Sequence, residues 1–292
     1  MPWDSSSRKL KRAAKHYKSL NDELRSYIRE GRPFEYQAEI DREEAQFRIR
    51  VVGGEPPPDE MSLIVGDFVQ NLRASLDHLI WAAVRATGNT PTMGNAFPIF
   101  LEGPQTSRRK EALWARQLAG IAEEAIPLID QIQPYKRGED ARFDALACLK
   151  ELSNEDKHRV VLQTLNAIPD PNDAAPDLDF EYLDVEPIES YQLHAMKPLA
   201  NGDLVMEAAI KITGPEPNIR IKGELPVEVA FGEFRIPASG LAMMFDRIDV
   251  VVAHLANELL GANLGPQPLG ARLGEPPADA ATTAPPDEPT DS

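Results

Sequence analysis

Two different spacings of apolar residues divide this chain into a helix-rich first half and a strand-rich second half. Segments with the 3.6-residue spacing of an amphipathic helix cover about 20 residues up to Glu30, after the cap-type residues Asp4–Ser7, and residues 59–87, 105–117, 121–132 and 139–153. Residues 34–40 and 46–52 alternate apolar and polar side chains one by one, which predicts a β-hairpin between the first two helices. The first half should therefore be a helical bundle that carries one hairpin.

Beyond residue 159 the pattern changes to short runs separated by Pro, Gly and Asn-Gly turns. The predicted strands are 160–167, 180–185, 191–196, 204–212, 219–223 and 227–231. A last amphipathic helix follows over 237–260, with Leu241, Phe245, Ile248 and Val252 on one stripe. Residues 262–292 are rich in Pro, Ala, Thr and Asp, and we expect this tail to be disordered.

These elements predict an α+β fold, in which an antiparallel sheet is inserted before the final helix of a helical bundle. The expected organisation is a helical bundle over 1–159 containing the hairpin 34–52, then a sheet over 160–236. The helix 237–261 is expected to pack back on the bundle, ahead of the tail.

Composition places the chain among ordinary globular proteins, with 42% hydrophobic and 27% charged residues over 292 positions. No run approaches the roughly 18 apolar residues that a membrane span requires, and the basic start lacks the apolar core of a secretory signal. The single cysteine, Cys148, forms no internal disulfide, which fits a reducing compartment. We therefore expect a cytoplasmic protein without membrane association.

The net charge of −16 is unevenly distributed. Residues 170–189 contain eight acids and no Lys or Arg, whereas the first thirty residues are rich in Lys and Arg. The basic helix could meet an anion such as nucleic acid. A solvated helix face is the favoured interpretation, because most charge runs are simply hydrated.

The first candidate site lies in the second long helix, where Arg73, Asp77 and His78 stand in a strongly apolar segment. At 100° per residue, Asp77 falls one turn from Arg73 on the same edge of the buried stripe, so an ion pair is expected. His78 projects about 140° away from Arg73. One helix alone would therefore not bring Arg73 and His78 to one small substrate.

A second polar cluster follows the helix 139–153. Ser153 and Asn154 should disfavour further regular helix, which leaves the following charged residues at its end. The candidate binding residues here are Asn154, Asp156, Lys157, His158 and Arg159. Cations at a helix C-terminus also complement its dipole, so a purely structural role is an equal alternative.

Four spaced motifs resemble a widespread family of uncharacterised bacterial proteins that is common in actinobacteria. They are Leu72–Trp81 (LRASLDHLIW), Phe97–Ile99 (FPI), Gln133–Tyr135 (QPY) and Leu152–Arg159 (LSNEDKHR), in that order along the chain. The resemblance covers roughly residues 60–165 and implies no activity. It does single out Tyr135 as a further candidate for substrate binding.

Arg73 followed by four residues and His78 is also similar to the Arg-x4-His motif of HEPN-domain proteins. That resemblance implies a helical-bundle ribonuclease that needs no metal, with the Arg and His of two protomers meeting at a dimer cleft. Arg73 would stabilise phosphate charge and His78 would act as general acid and base, with Asp77 beside them. It implies RNA as substrate, a homodimer and a toxin or defence role.

Two hypotheses therefore stand: an endoribonuclease, or a non-catalytic binding scaffold in which the same residues form a structural polar network. In the scaffold, the sheet over about 160–235 would present the surface for a ligand or protein partner. A metal site built from Asp77, His78, Asp156 and His158 is less favoured, because Arg73, Lys157 and Arg159 would repel a divalent ion. No cofactor or metal is expected.

Overall fold

The structure is a computed structural model that describes residues 3–30, 35–53, 57–158, 163–167, 179–194, 201–222, 227–233 and 235–267. The α-helices are α1 Asp4–Glu30, α2 Asp59–Ala86, α3 Arg108–Gln117, α4 Ala125–Gln131, α5 Ala145–His158 and α6 Ala238–Leu260. The strands are β1 Glu35–Asp41, β2 Gln46–Val52, β3 Gln163–Ala167, β4 Asp179–Leu183, β5 Gln192–Leu193, β6 Leu204–Ala209, β7 Asn218–Lys222, β8 Val227–Phe231 and β9 Ile236–Pro237. Two 3-10 segments, Pro104–Thr106 and Pro134–Phe143, precede α3 and α5. The predicted α+β class is confirmed.

The chain forms two compact units, and each is assembled from segments that are separated in sequence. The first consists of Met1–Lys18, Asp67–Ser153 and Ala242–Ser292, and the second of Ser19–Gly66 and Asn154–Leu241. The first unit is helical, and the second contains all the strands that the structure describes. This division differs from the expected helical domain over 1–159, because the hairpin belongs with the later strands.

The hairpin β1–β2 is part of a four-stranded antiparallel sheet in the order β1-β2-β6-β5. β2 pairs with β6 in a register that joins Phe47 to Ala208 and Ile49 to Met206. Alternate residues of β2, among them Phe47, Ile49 and Val51, are fully buried against the core of the second unit. The intervening polar residues form the outer face of the sheet, as the alternating sequence predicts.

The first unit is built around one face of α2. Its stripe Val69, Leu72, Leu76 and Leu79 is fully buried, in agreement with the helical periodicity. Phe68 links helices that are distant in sequence, because its ring packs 6.0 Å from Tyr17 of α1 and 6.4 Å from Phe245 of α6. α1 and α6 are thus joined to α2 through aromatic contacts.

Several boundaries differ from the sequence-based expectation: α4 begins at Ala125 instead of 121 and α5 at Ala145 instead of 139. α5 continues through Ser153 and Asn154 to His158, because Leu149 and Leu152 are fully buried and this packing outweighs the weak helix preference of Ser and Asn. Residues 262–267 of the expected disordered tail run back along α6. The side-chain oxygen of Asn257 accepts the N–H of Leu264 at 2.6 Å, and its side-chain amide donates to the carbonyl of Leu264 at 2.8 Å. Residues 268–292 lie outside the described part of the chain.

Candidate functional site

One flank of α2 binds the backbone of the loop formed by residues 92–100, called here the FPI loop. Arg73 and Asp77 form a two-contact ion pair, with Nε to Oδ2 at 3.2 Å and Nη2 to Oδ1 at 2.9 Å. The same Nη2 donates to the carbonyl of Phe97 at 2.6 Å, and Oδ1 accepts the N–H of Phe97 at 2.8 Å. The pair therefore holds both polar groups of one residue in the loop.

The flank continues one turn further along α2. Trp81 donates its indole N–H to the carbonyl of Asn95 at 3.1 Å. Asn95 is 5% exposed, and its side-chain oxygen accepts the N–H of Thr92 at 2.8 Å. Its amide donates to the carbonyls of Gln117 and Ala119 at the end of α3. Arg73, Asp77 and Trp81, which are spaced four residues apart along one flank of α2, thus bind the FPI loop between Asn95 and Phe97.

Gln133 fixes the other end of the FPI loop. It is 1% exposed, and its amide donates to the carbonyls of Pro98 at 3.0 Å and Ile129 at 3.2 Å. Its side-chain oxygen accepts the N–H of Phe100 at 3.1 Å. Since a buried loop has no strand or helix partner for its peptide groups, these side-chain bonds take that role.

Lys150 of α5 completes the set by donating to the carbonyl of Ile99 at 3.1 Å. Burial lowers the pKa of this lysine, and repulsion from Arg73 and Lys110 lowers it further. The carbonyl of Phe100 accepts the backbone N–H of Tyr135 at 3.3 Å. Segments from α2, the QPY motif and α5 therefore meet at the FPI loop.

His78 faces a different element from Arg73. Its Nδ1 contacts the hydroxyl of Ser5 in α1, next to a buried bond of 2.6 Å from the Ser6 hydroxyl to the carbonyl of Ser75. Arg73 instead contacts Asp77 and the FPI loop. The divergence of about 140° expected from the helix geometry is thus reflected in their contacts.

Tyr135 has its hydroxyl bound within its own segment. It donates to the carboxylate of Asp130, and Lys136 contacts that carboxylate at 2.5 Å while lying 5.1 Å from the tyrosine ring centre. Burial and the neighbouring Asp130 both raise the pKa of Tyr135. The phenol is therefore a neutral hydrogen-bond donor, and its role here is to support the turn after α4.

The second cluster is described only in part. Asn154 is exposed on α5, whereas the side chains of Asp156, Lys157 and His158, and the whole of Arg159, lie outside the described residues. A contact of this cluster with Arg73 and His78, which one joint polar network would require, falls outside the described residues as well. Lys150, which precedes this cluster on α5, donates a hydrogen bond to the FPI loop.

Several polar contacts were not anticipated from the sequence. His16 has Nδ1 at 3.8 Å from Asp67 and accepts a bond from Arg12, and burial lowers its pKa below the usual value. His194, directly after β5, contacts Glu207 of the neighbouring strand β6 at 2.9 Å. Only the i, i+4 spacing of Arg12 and His16 signals a contact in advance.

The described segments contain no group of three or more His, Cys, Asp or Glu side chains that could hold a metal ion. Among the helices whose structure is described, none combines the length and apolar character needed to cross a bilayer. Compared with known protein families, with curated proteins and with solved structures, the chain has no significant match.

Proposed function

We propose that this chain is a non-catalytic binding scaffold in which the Arg73–Asp77 pair fixes the FPI loop. The observation that carries the proposal is that both charged side chains bond to the peptide groups of Phe97. A guanidinium that stabilises a phosphate in a transition state needs its donors directed at the reacting group. Here Nε and Nη2 of Arg73 are directed at Asp77 and the loop.

The surroundings of His78 support the same proposal. General acid–base catalysis needs the histidine within hydrogen-bond reach of the group that reacts beside the stabilising cation. His78 contacts the Ser5 hydroxyl on α1, whereas Arg73 contacts the FPI loop. Within one chain, these contacts favour two structural roles over one joint role.

A ligand surface in the scaffold would be the outer face of the four-stranded sheet in the second unit. This face carries polar side chains at alternate positions of β2 and Glu207 of β6, over a hydrophobic core on the opposite side. Sheets of this kind offer a rigid platform from which polar groups bind a partner. The endoribonuclease with Arg73 and His78 as catalytic residues, acting as a dimer, is the competing hypothesis.

The experiment compares RNA cleavage with stability in Arg73→Ala and His78→Ala. Purified wild-type protein, at equimolar concentration with a labelled single-stranded RNA, should leave the RNA intact. Arg73→Ala should lower the free energy of unfolding by about 2–4 kcal/mol, and His78→Ala by less than about 1 kcal/mol. Cleavage by the wild type that His78→Ala abolishes at unchanged melting temperature would establish the enzyme instead, and a dimer in sedimentation would agree with it.

A further inference from the structure

A groove of about 300 Å³ lies in the first unit, between the start of α1, the second half of α6 and the returning segment 262–267. This volume is at the lower end of the range of about 300–1,000 Å³ that is typical of small-molecule sites. The lining contains no residue of the FPI loop, of α2 or of the four-stranded sheet. The groove is therefore a separate candidate binding site.

The two helices line the groove with faces of equal length. α1 contributes positions 4, 7, 8 and 11, and α6 contributes positions 249, 252, 253 and 256. Both sets have the i, i+3, i+4, i+7 spacing of a single helix face. At 1.5 Å per residue each set extends over about 10 Å of its helix. The groove is therefore elongated, with a long axis of about 10 Å along the helices.

The floor of the groove is apolar. Ala253 and Ala256 of α6 are buried, and their short side chains leave the space that forms the groove. Leu10 of α1 is 2% exposed, and the half-buried Leu264 of the returning segment forms the third wall. Such a floor favours a ligand with a hydrocarbon part, because binding then removes apolar surface of both partners from water.

The rim of the groove carries two cations. Arg8 and Lys11 are exposed, and within the described part of the chain neither forms an ion pair or a side-chain hydrogen bond. The acids of the lining are differently placed. Asp249 is 2% exposed and accepts the N–H of Gln267 at 2.5 Å, and Asp4 lies in the first turn of α1, where the positive end of the helix dipole offsets its charge. The charge offered to a ligand at the rim is therefore positive.

Trp3 adds an aromatic side chain to the lining. It lies directly before α1, and its carbonyl accepts the N–H of Ser7 at 3.2 Å, which fixes it to the first turn of the helix. Its side chain is half-buried, so part of this large apolar surface remains available to a ligand. An apolar floor, a tryptophan and two unpaired cations together match a molecule with a hydrocarbon body and an anionic end.

We propose that this groove binds a single-chain carboxylate of about eight carbons, with the chain on the apolar floor and the carboxylate at Arg8 and Lys11. Carbon–carbon bonds of about 1.5 Å in a zigzag place about eight chain carbons within the length of about 10 Å. A small polar anion would leave the floor bare, and an amphiphilic cation would be repelled at the rim. The inference goes beyond the proposed scaffold function, since it adds a second binding site in the other unit.

The test is isothermal titration calorimetry of the full chain with hexanoate, octanoate and decanoate, each below its micelle concentration. Octanoate should bind about tenfold more tightly than hexanoate, because two further methylene groups leave water. Decanoate should gain less than about threefold over octanoate, since the groove is then filled and the added methylenes stay in water. Octyltrimethylammonium has the same chain and the opposite charge, and it should bind at least about tenfold more weakly than octanoate.

Two variants test the two halves of the ligand. Arg8→Gln/Lys11→Gln should weaken octanoate binding by about three- to tenfold, as two exposed ion pairs allow, and should leave binding of 1-octanol unchanged. Ala253→Leu fills the floor and should weaken octanoate and 1-octanol alike, by at least about fivefold. Lys15→Gln/Lys18→Gln is the matched control, because it removes the same charge from exposed positions of α1 that do not line the groove. It should bind octanoate as the wild type does.

Absence of octanoate binding to the wild type, by calorimetry and by tryptophan fluorescence, overturns the proposal. Equal weakening by the two charge variants overturns it, and so does equal affinity for octanoate and octyltrimethylammonium. Binding to phosphatidylglycerol vesicles without binding of monomeric octanoate would assign this surface to a membrane instead. Melting temperatures show whether each variant is folded, and if Ala253→Leu is not, the charge variants decide the outcome. The RNA and stability results for Arg73 and His78 are independent of every one of these results.

Discussion

The carboxylate of Asp77 accepts the backbone N–H of Phe97 at 2.8 Å, across twenty residues of sequence. Through this bond, a charged residue on α2 fixes the position of an irregular loop. Arg73 reinforces it by bonding to Asp77 and to the carbonyl of the same Phe97. A charged motif within an apolar helix is thus explained by the peptide groups that it binds.

Removal of the guanidinium should destabilise the first unit. Arg73→Ala leaves the Phe97 carbonyl without this donor and the half-buried Asp77 without its counter-charge, so we expect a loss of about 2–4 kcal/mol in urea unfolding. Arg73→Lys should recover only part of it, because one ammonium group cannot reproduce the two-contact pair and the loop bond together.

Arg85→Ala is the control for this series, because Arg85 is an exposed arginine at the end of α2, near the Trp81 ring. Its loss should cost less than about 1 kcal/mol. Equal losses for Arg73→Ala and Arg85→Ala would show that the bonds to Phe97 contribute little.

The stability contributed by Gln133 should depend on the hydrogen-bonding groups of its side chain and not only on the size of that side chain. Gln133→Ala removes the bonds to Pro98, Ile129 and Phe100 in a buried position, with an expected cost of about 2–4 kcal/mol. Gln133→Glu should cost at least as much at neutral pH, since an ionised carboxylate cannot donate to the two carbonyls. The exposed Gln131→Ala serves as the matched control, and a harmless Gln133→Glu would contradict the assignment.

Lowering the pH should reduce the free energy of unfolding of the protein, partly through His16. Burial lowers the pKa of His16, while Asp67 opposes and Arg12 adds to the shift. The unfolded chain, with a histidine pKa of about 6.5, binds the proton first, so stability falls as pH drops below that value. His16→Gln should show a smaller loss of unfolding free energy between pH 7 and 5 than the wild type. Identical pH slopes for wild type, His16→Gln and His16→Asn would exclude this contribution.

Asn257 should hold residues 262–267 along α6. Its side chain bonds both polar groups of Leu264, and Asp249 accepts the N–H of Gln267 at 2.5 Å. Asn257→Ala should accelerate amide hydrogen exchange at Leu264 by about tenfold, which corresponds to the loss of about one net hydrogen bond. Glu258→Ala, an exposed neighbour on α6, should leave that rate unchanged; equal effects of the two variants would argue against the contact.

Local periodicity predicts the long helices and most strands of this chain well. α1, α2 and α6 follow stripes of apolar residues, and the ion pair Arg73–Asp77 follows from helical spacing alone. The pairing of β2 with β6 could not be predicted in this way, because strand order depends on contacts between residues more than 150 positions apart. The extension of α5 past Ser153 likewise depends on tertiary packing.

The candidate site could be predicted only at its helical edge. Sequence spacing identifies Arg73, Asp77 and His78 as charged positions, but it does not show that Phe97 is the partner of the first two. The sequence indicates Gln133 only as part of the QPY motif, and nothing in the sequence identifies Lys150 as a loop contact apart from its place in an amphipathic helix. The partners are backbone groups of a loop, and backbone groups have no sequence signature.

The most direct test of the structural role of Arg73 and Asp77 is the hydrogen-exchange rate of the Phe97 amide. The wild type should protect this N–H, and Asp77→Ala should accelerate its exchange by at least about tenfold, since its acceptor is removed. Arg73→Ala should accelerate it less, because Asp77 remains. An exchange rate at Phe97 that stays unchanged in Asp77→Ala, together with loss of an RNA-cleaving activity in that variant, would contradict the account.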